Sequence, residues 1–309
     1  MTRIWAITIN TFREAVRDKV LYGVIGLATA VLLLTLMLAE LSLNQQQRVI
    51  LDIGLASISL LSVMTAIFLG SSLLHKEIER KTLYVILPKP ISRAEFLLGK
   101  YFGIVITVLT FVAIMGALQL WIGTVKADGN PVVLVGLAVG AVASLALLLR
   151  RAADRTFAFL PWSLSVLAAM AGLSAAYDAP VTPVLAALWL NSCEVLLISA
   201  VALLFSSFST PFLTGSLSFG VWLVGRSADE MASMESSALP ESVRSLLHGL
   251  AQVIPNFHLF VPGHHALSGE VPLEYGLLGY LGVTTGYVAA YTTLLLLAGI
   301  LIFRRRNLI

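Results

Sequence analysis

The sequence predicts an all-α fold, a polytopic transmembrane helical bundle of six to eight spans. Three observations carry that expectation. The 309 residues are 58% hydrophobic and only 12% charged, whereas soluble domains are about 45–50% apolar and about 25% charged. The apolar residues run on for stretches of about 20, the length that about 30 Å of hydrocarbon demands of a helix, and they do not alternate as barrel strands do. Basic residues cluster at the N-terminus, in the connections 75–93 and 150–155 and at Arg304–Arg306. These fall on one side of the membrane when the spans alternate, the signature of cytoplasmic segments.

Residues 1–19 come first. Trp5, Ile9, Phe12, Val16 and Val20 repeat at helical spacing, while Arg3, Asn10, Arg13, Glu14 and Arg17 take other faces. The pattern predicts an interfacial helix on the cytoplasmic leaflet, preferred over a charged flank that merely anchors the first span. Charges throughout this stretch leave no short apolar region ending at a small-residue site, so no cleavable signal is expected. The spans follow as the charge-poor windows 20–41, 53–74, 101–125, 131–149, 156–177, 184–208, 211–225 and 275–303. Window 156–177 contains Pro161-Trp162, and 211–225 is short.

With the N-terminus inside, Arg3, Arg13, Arg17, Lys19, residues 75–93, Arg150, Arg151, Arg155 and Arg304–Arg306 all become cytoplasmic. The outer connections, ending with the long loop 226–274, then hold only Arg48, Lys126, Arg226 and Arg244. Both termini are cytoplasmic in this arrangement. A six-span alternative places Arg150, Arg151 and Arg155 outside or in lipid, where each costs roughly 2.5–3.5 kcal/mol. Eight spans are therefore preferred. Residues 1–309 read as one membrane domain in which 126–180 hold an extra helical hairpin, 131–178.

The densest charge run is His75-Lys76-Glu77-Ile78-Glu79-Arg80-Lys81, between the second and third spans. Pro88-Lys89-Pro90 breaks the chain after it, and Ser92 precedes Glu95 by three residues, a capping-box pattern that opens a new helix. A short polar helix clamped between two spans, within 75–95, suits capture by a soluble partner.

Glu194 is the one acid deep inside a span. An intramembrane carboxylate is costly and points to function. Two readings stay open: a substrate or gating contact in a pathway, or a hydrogen-bonded carboxyl that ties helices together. His248, His258, His264 and His265 in the outer loop have no nearby acid or Cys to complete a metal site, so ordinary loop residues are the preferred reading. Leu246, Leu247, Leu250, Val253 and Ile254 form an apolar stripe in the same loop. Cys193 stands alone, which excludes an intrachain disulfide. The net charge of +3 fits membrane orientation and not nucleic-acid binding. Gly99-Lys100 is no phosphate-binding loop, because position 94 is Ala and Tyr101 follows the Lys. No nucleophile–base pair stands out, so the chain is not read as an enzyme. Gly136-x-x-x-Gly140 and Gly282-x-x-x-Gly286 permit close helix packing.

These features together resemble the membrane subunit of ATP-binding-cassette (ABC) transporters of the type-2 exporter permease family. The resemblance is specific at Lys76–Leu83 and at Pro88-Lys89-Pro90-Ile91-Ser92-Arg93-Ala94-Glu95-Phe96-Leu97-Leu98-Gly99-Lys100, where the family shows an acidic residue, a "GT" or "KT" pair (here Lys81-Thr82), then "P(I/V)SR" and "LLGK". It is diffuse at Trp5–Asp18, at Leu203–Pro211 and at Val253-Ile254-Pro255-Asn256. Residues 1–125 and 184–309 are covered. Residues 126–180 depart from the family's six-span pattern.

The resemblance implies a pair of such subunits, as a homodimer or related heterodimer, with two ATP-binding subunits docked beneath. ATP and Mg would be bound by that partner ATPase and no cofactor by this chain. Glu77, Glu79, Arg80, Lys81, Thr82, Leu83 and Tyr84 would be the coupling contacts, and the bacterial cytoplasmic membrane the location. The alternatives are a secondary transporter driven by an ion gradient, an intramembrane metallo-hydrolase using the His residues, and ATP-driven transmission of motion to a periplasmic partner without transport. The first should show broken or charged helices in two matched halves, and only Glu194 qualifies.

Overall fold

A computed structural model of the chain describes residues 2–42, 45–79, 92–127, 129–151, 156, 158–227, 249, 254–261 and 276–305. Among these residues there are nine α-helices, one 3₁₀ turn and no strand. The helices are α1 (Thr2–Arg17), α2 (Lys19–Leu41), α3 (Gln46–Glu79), α4 (Arg93–Lys126), α5 (Pro131–Arg151), α6 (Phe159–Ala176), α7 (Val181–Ser206), α8 (Pro211–Arg226) and α9 (Gly276–Arg305), and the 3₁₀ turn is His258–Phe260. Seven of them, α2 to α7 and α9, are long and apolar enough to cross a membrane. The protein is a multi-pass, all-α membrane bundle.

Local chemistry sets the helix ends. Asp18 separates α1 from α2 and caps the latter, its carboxylate accepting from the Val20 N–H at 3.1 Å. The capping box expected at the head of α4 is formed in full: Ser92 Oγ accepts from the Glu95 N–H at 3.1 Å and Glu95 Oε2 from the Ser92 N–H at 2.7 Å. Pro131 and Pro211 open α5 and α8, where a missing N–H is harmless.

The core is built on α4 and α7, each with 72% of its apolar window buried, and on α3, with 56%. Small residues let these helices meet. A Cβ at Gly70 of α3 would stand 2.6 Å from Ala202 Cβ of α7, and one at Gly116 of α4 would stand 2.4 Å from Leu188. Helix α6 joins α4 through Thr124 and Ser174, whose hydroxyls are 2.7 Å apart. Helix α5 is peripheral, with 6% of its window buried and Val132, Val135, Val139 and Val142 exposed.

Contacts also fix which ends lie together. Thr8 of α1 donates to the Gly99 carbonyl near the start of α4 at 3.2 Å. Arg93 donates to the carbonyls of Phe303 and Arg304, at 2.8 and 3.1 Å. Both ends of the described chain therefore lie at one end of the bundle. Helices α7 and α9 run in the same direction, with Trp189 Nε1 donating to Thr285 Oγ1 at 3.1 Å.

Two features differ from eight equal spans. Helix α8 has 16 residues, roughly 24 Å at the α-helical rise, short of the hydrocarbon thickness. It stops at Arg226, whose side chain turns to an acid on α7. Helix α3 does not end at Leu74. It continues through Glu79, more than a turn beyond the end of the apolar window at Leu74.

Candidate functional site

The short helix α8 ends in a charged knot. Glu194, midway along α7, has no exposed surface. Its Oε2 accepts from Ser59 Oγ of α3 at 2.8 Å. Its Oε1 accepts from Trp222 Nε1 at 2.7 Å and from Arg226 NH1 at 2.8 Å, both on α8. Arg226 NH1 also reaches Ser59 Oγ at 3.4 Å, and its guanidinium lies 5.4 Å from the centre of the Trp222 ring. One carboxylate thus joins three helices. Next to it, Ser62 Oγ of α3 is 2.9 Å from Asn191 Oδ1 of α7.

The sequence places these groups by helical repeat. Glu194 and Asn191 are three residues apart on α7, as are Ser59 and Ser62 on α3, so each pair shares one face. Thr214, Ser218, Trp222 and Gly225 form the buried face of α8. Buried carboxylates are stable only when paired and hydrogen-bonded, and this one has three donors. Arg226 keeps 27% of its side chain exposed, so the knot is closed on the carboxylate side and open on the cation side.

A connecting segment sits on the end of α8. The Phe257 N–H donates to the Gly225 carbonyl at 2.9 Å. A Cβ at Gly225 would stand 2.4 Å from Pro255 O and 2.5 Å from the Phe257 ring, so only glycine admits this approach. Asn256 N donates to Tyr287 OH at 2.8 Å and Tyr280 OH donates to the Leu259 carbonyl at 2.5 Å, both tyrosines on α9. The segment 254–261 therefore bridges α8 and α9, and the knot lies beneath it.

A second charged contact lies at the terminal end. Lys100 of α4 has 1% of its side chain exposed, with Nζ 3.5 Å from Glu14 Oε2 of α1 and 5.9 Å from the centre of the Phe96 ring. The helices approach closely there. A Cβ at Gly99 would stand 2.6 Å from Ile7 Cβ, and one at Gly103 would stand 2.5 Å from Thr11 Cβ. At the opposite end, a cavity of about 480 Å³ is lined by Gln46, Gln47, Gly123, Lys126, Ala127 and Asp178, beside a Lys126–Glu40 ion pair.

Of the residues singled out from sequence, Glu194 is described in full. Glu77 and Glu79 lie on the backbone of α3, their side chains outside the description, and Arg80, Lys81, Thr82, Leu83 and Tyr84 lie outside the described residues. His258 is exposed on the 3₁₀ turn, while His248, His264 and His265 lie outside the described residues. Among the described residues no group of three His, Cys, Asp or Glu could hold a metal ion. Sequence reasoning missed Arg226, Trp222 and Ser59 as partners of Glu194. It also missed the Gly99-x-x-x-Gly103 contact, although the spacing stands in plain view inside Leu97-Leu98-Gly99-Lys100-Tyr101-Phe102-Gly103. A lone buried acid asks for a cation, and Arg226, at the edge of an otherwise uncharged window, was the signal. No protein-family model and no curated protein matches the chain.

Proposed function

We propose that the chain is the membrane-spanning permease subunit of an ATP-binding-cassette transporter of the type-2 exporter class, working with a separate ATPase subunit and a second permease copy in a bacterial cytoplasmic membrane. One observation supports this above the others. The charged stretch from His75 to Arg93 links two core helices directly: α3 stays helical through Glu79, and α4 starts again at a complete capping box. At that same end α1 and the last turns of α9 grip the first turns of α4. A partner that moves this connection moves α3 and α4 as levers.

The consequence reaches the knot. Helix α3 carries Ser59, which donates to Glu194, and Glu194 holds α8 through Trp222 and Arg226. A shift of α3 along α7 would exchange these partners, so the knot is the element through which two arrangements of the bundle would differ. ATP binding and hydrolysis in the partner would act by shifting the population between them, and this chain's residues would carry force without covalent chemistry.

The test is affinity purification of the full chain in mild detergent from its own membrane. A stoichiometric partner with a phosphate-binding loop is expected, and its recovery should fall strongly in the Glu79→Ala/Arg80→Ala/Lys81→Ala variant. Unchanged assembly of that variant overturns the coupling assignment. A chain that purifies without any ATPase and works without ATP moves the reading to ion-gradient transport, for which Glu194 is the motivating residue.

A further inference from the structure

We propose that α1 carries a binding strip for anionic phospholipid headgroups. The inference needs only that the bundle sits in a membrane, and it stands apart from the coupling proposal. At about 100° per residue, the surface of α1 divides into three sectors. The first, with Thr8, Thr11, Phe12 and Ala15 buried, packs on α4 over Gly99 and Gly103. The second holds Trp5, 49% exposed, with Ile9 and Val16 partly exposed. The third holds Arg3, Asn10, Arg13 and Arg17, all exposed.

A helix bathed in water on its free side has no use for Trp5, Ile9 and Val16 there, and one bathed in hydrocarbon cannot present Arg3, Arg13 and Arg17. Adjacent apolar and basic sectors fit a boundary that runs along the helix, with the apolar sector among acyl chains and the basic one among headgroups. Helix α2, an apolar span, begins directly after Asp18, which holds α1 at that level. Glu14, the one acid within α1, falls beside Arg3 in the third sector, but its carboxylate lies 3.5 Å from Lys100 Nζ of α4. The sector thus keeps three cations against one acid that already has a cation beside it. Lys19 and Arg304 add exposed positive charge at the same end. Guanidinium forks match phosphate oxygens in pairs, so the partner that fits is a phospholipid with net negative charge.

The test uses the full chain in mild detergent, incubated with equimolar phosphatidylglycerol and phosphatidylcholine, with retained lipid counted by mass spectrometry. Phosphatidylglycerol should be enriched several-fold, since a basic residue near an anionic surface contributes about fivefold. The ratio should fall to about one in the Arg3→Gln/Arg13→Gln/Arg17→Gln variant and persist in the corresponding triple Lys variant. Raising salt from about 0.1 M to about 1 M, which shortens the screening length from about 10 Å to about 3 Å, should abolish the preference in the unaltered chain. That arm stands even if the Gln variant fails to fold. Equal retention of the two lipids, a preference indifferent to salt, or one unchanged in a folded Gln variant overturns the proposal. So does loss of a co-purifying acidic protein from the Gln variant with no change in lipid, which would assign the strip to that protein.

Discussion

Two of the cation–carboxylate contacts among the described residues have a buried member, and they are built differently. At the terminal end Lys100 and Glu14 stand 3.5 Å apart, the Lys buried and the Glu one-third exposed. In the middle of the bundle Arg226 and Glu194 stand 2.8 Å apart, the acid fully buried and further held by Trp222 and Ser59. The first joins two helices that already lock through Gly99 and Gly103, so the charges add to a contact that shape has made. The second joins three helices at a point where the chain would otherwise leave a naked carboxylate in an apolar interior. Where shape complementarity carries a contact its charges weigh less than where a buried acid carries it.

The largest effect should come from removing one partner in the middle of the bundle. Arg226→Gln should lower stability by about 3–5 kcal/mol, as breaking a buried pair does, read as a large drop in unfolding temperature in detergent. The double variant Glu194→Gln/Arg226→Gln should lose less than the sum of the two single changes. Additive losses would mean that the pair does not act as a unit. In a transport assay, Glu194→Gln that folds and assembles but moves no substrate would favour a pathway or gating role, and a pure stability loss would favour a tie between helices.

A smaller effect is expected at the other end, from shape. Gly99→Leu or Gly103→Leu should displace α1 and cost about 1–3 kcal/mol, as overpacking does. Gly136→Leu and Gly282→Leu should be close to neutral, because a Cβ there meets nothing within 4 Å. Equal losses at all four sites would remove the distinction.

The smallest effect is asymmetric. Lys100→Met keeps the volume of a buried side chain and leaves Glu14 able to reach water, so stability should change by less than about 1 kcal/mol. Glu14→Gln should cost more, since it removes an anion beside a buried ammonium. A larger loss for Lys100→Met, measured by the same unfolding assay, would place the weight of this contact on its charge.

Much of the fold was legible in the chain. The length of apolar runs gave the helices, because hydrocarbon thickness fixes how many residues a crossing needs. The capping box at Ser92 and Glu95 was legible because it is local, satisfied within four residues. The packing of Asn256 and Phe257 on Tyr287 and Gly225 was not legible, since both partners lie some thirty residues away along the chain. The three small-xxx-small spacings looked alike, yet only Gly99 and Gly103 face a neighbouring helix, while Gly136, Gly140, Gly282 and Gly286 face open space. Spacing says that a helix can be approached closely; which helix arrives depends on the bundle.

By itself the sequence determined that this is an all-α membrane protein, that its second and third long apolar windows are separated by a charged break, and that one acid had to be accommodated inside a span. These follow from local quantities: run length, charge density and the cost of a carboxylate in hydrocarbon. Only the tertiary structure decided that Arg226 answers Glu194 from 32 residues away, and that Ser59 and Trp222 complete the shell. The reason is physical. A buried charge demands a partner but does not specify it, and the choice is made by whichever helices packing brings within about 3 Å.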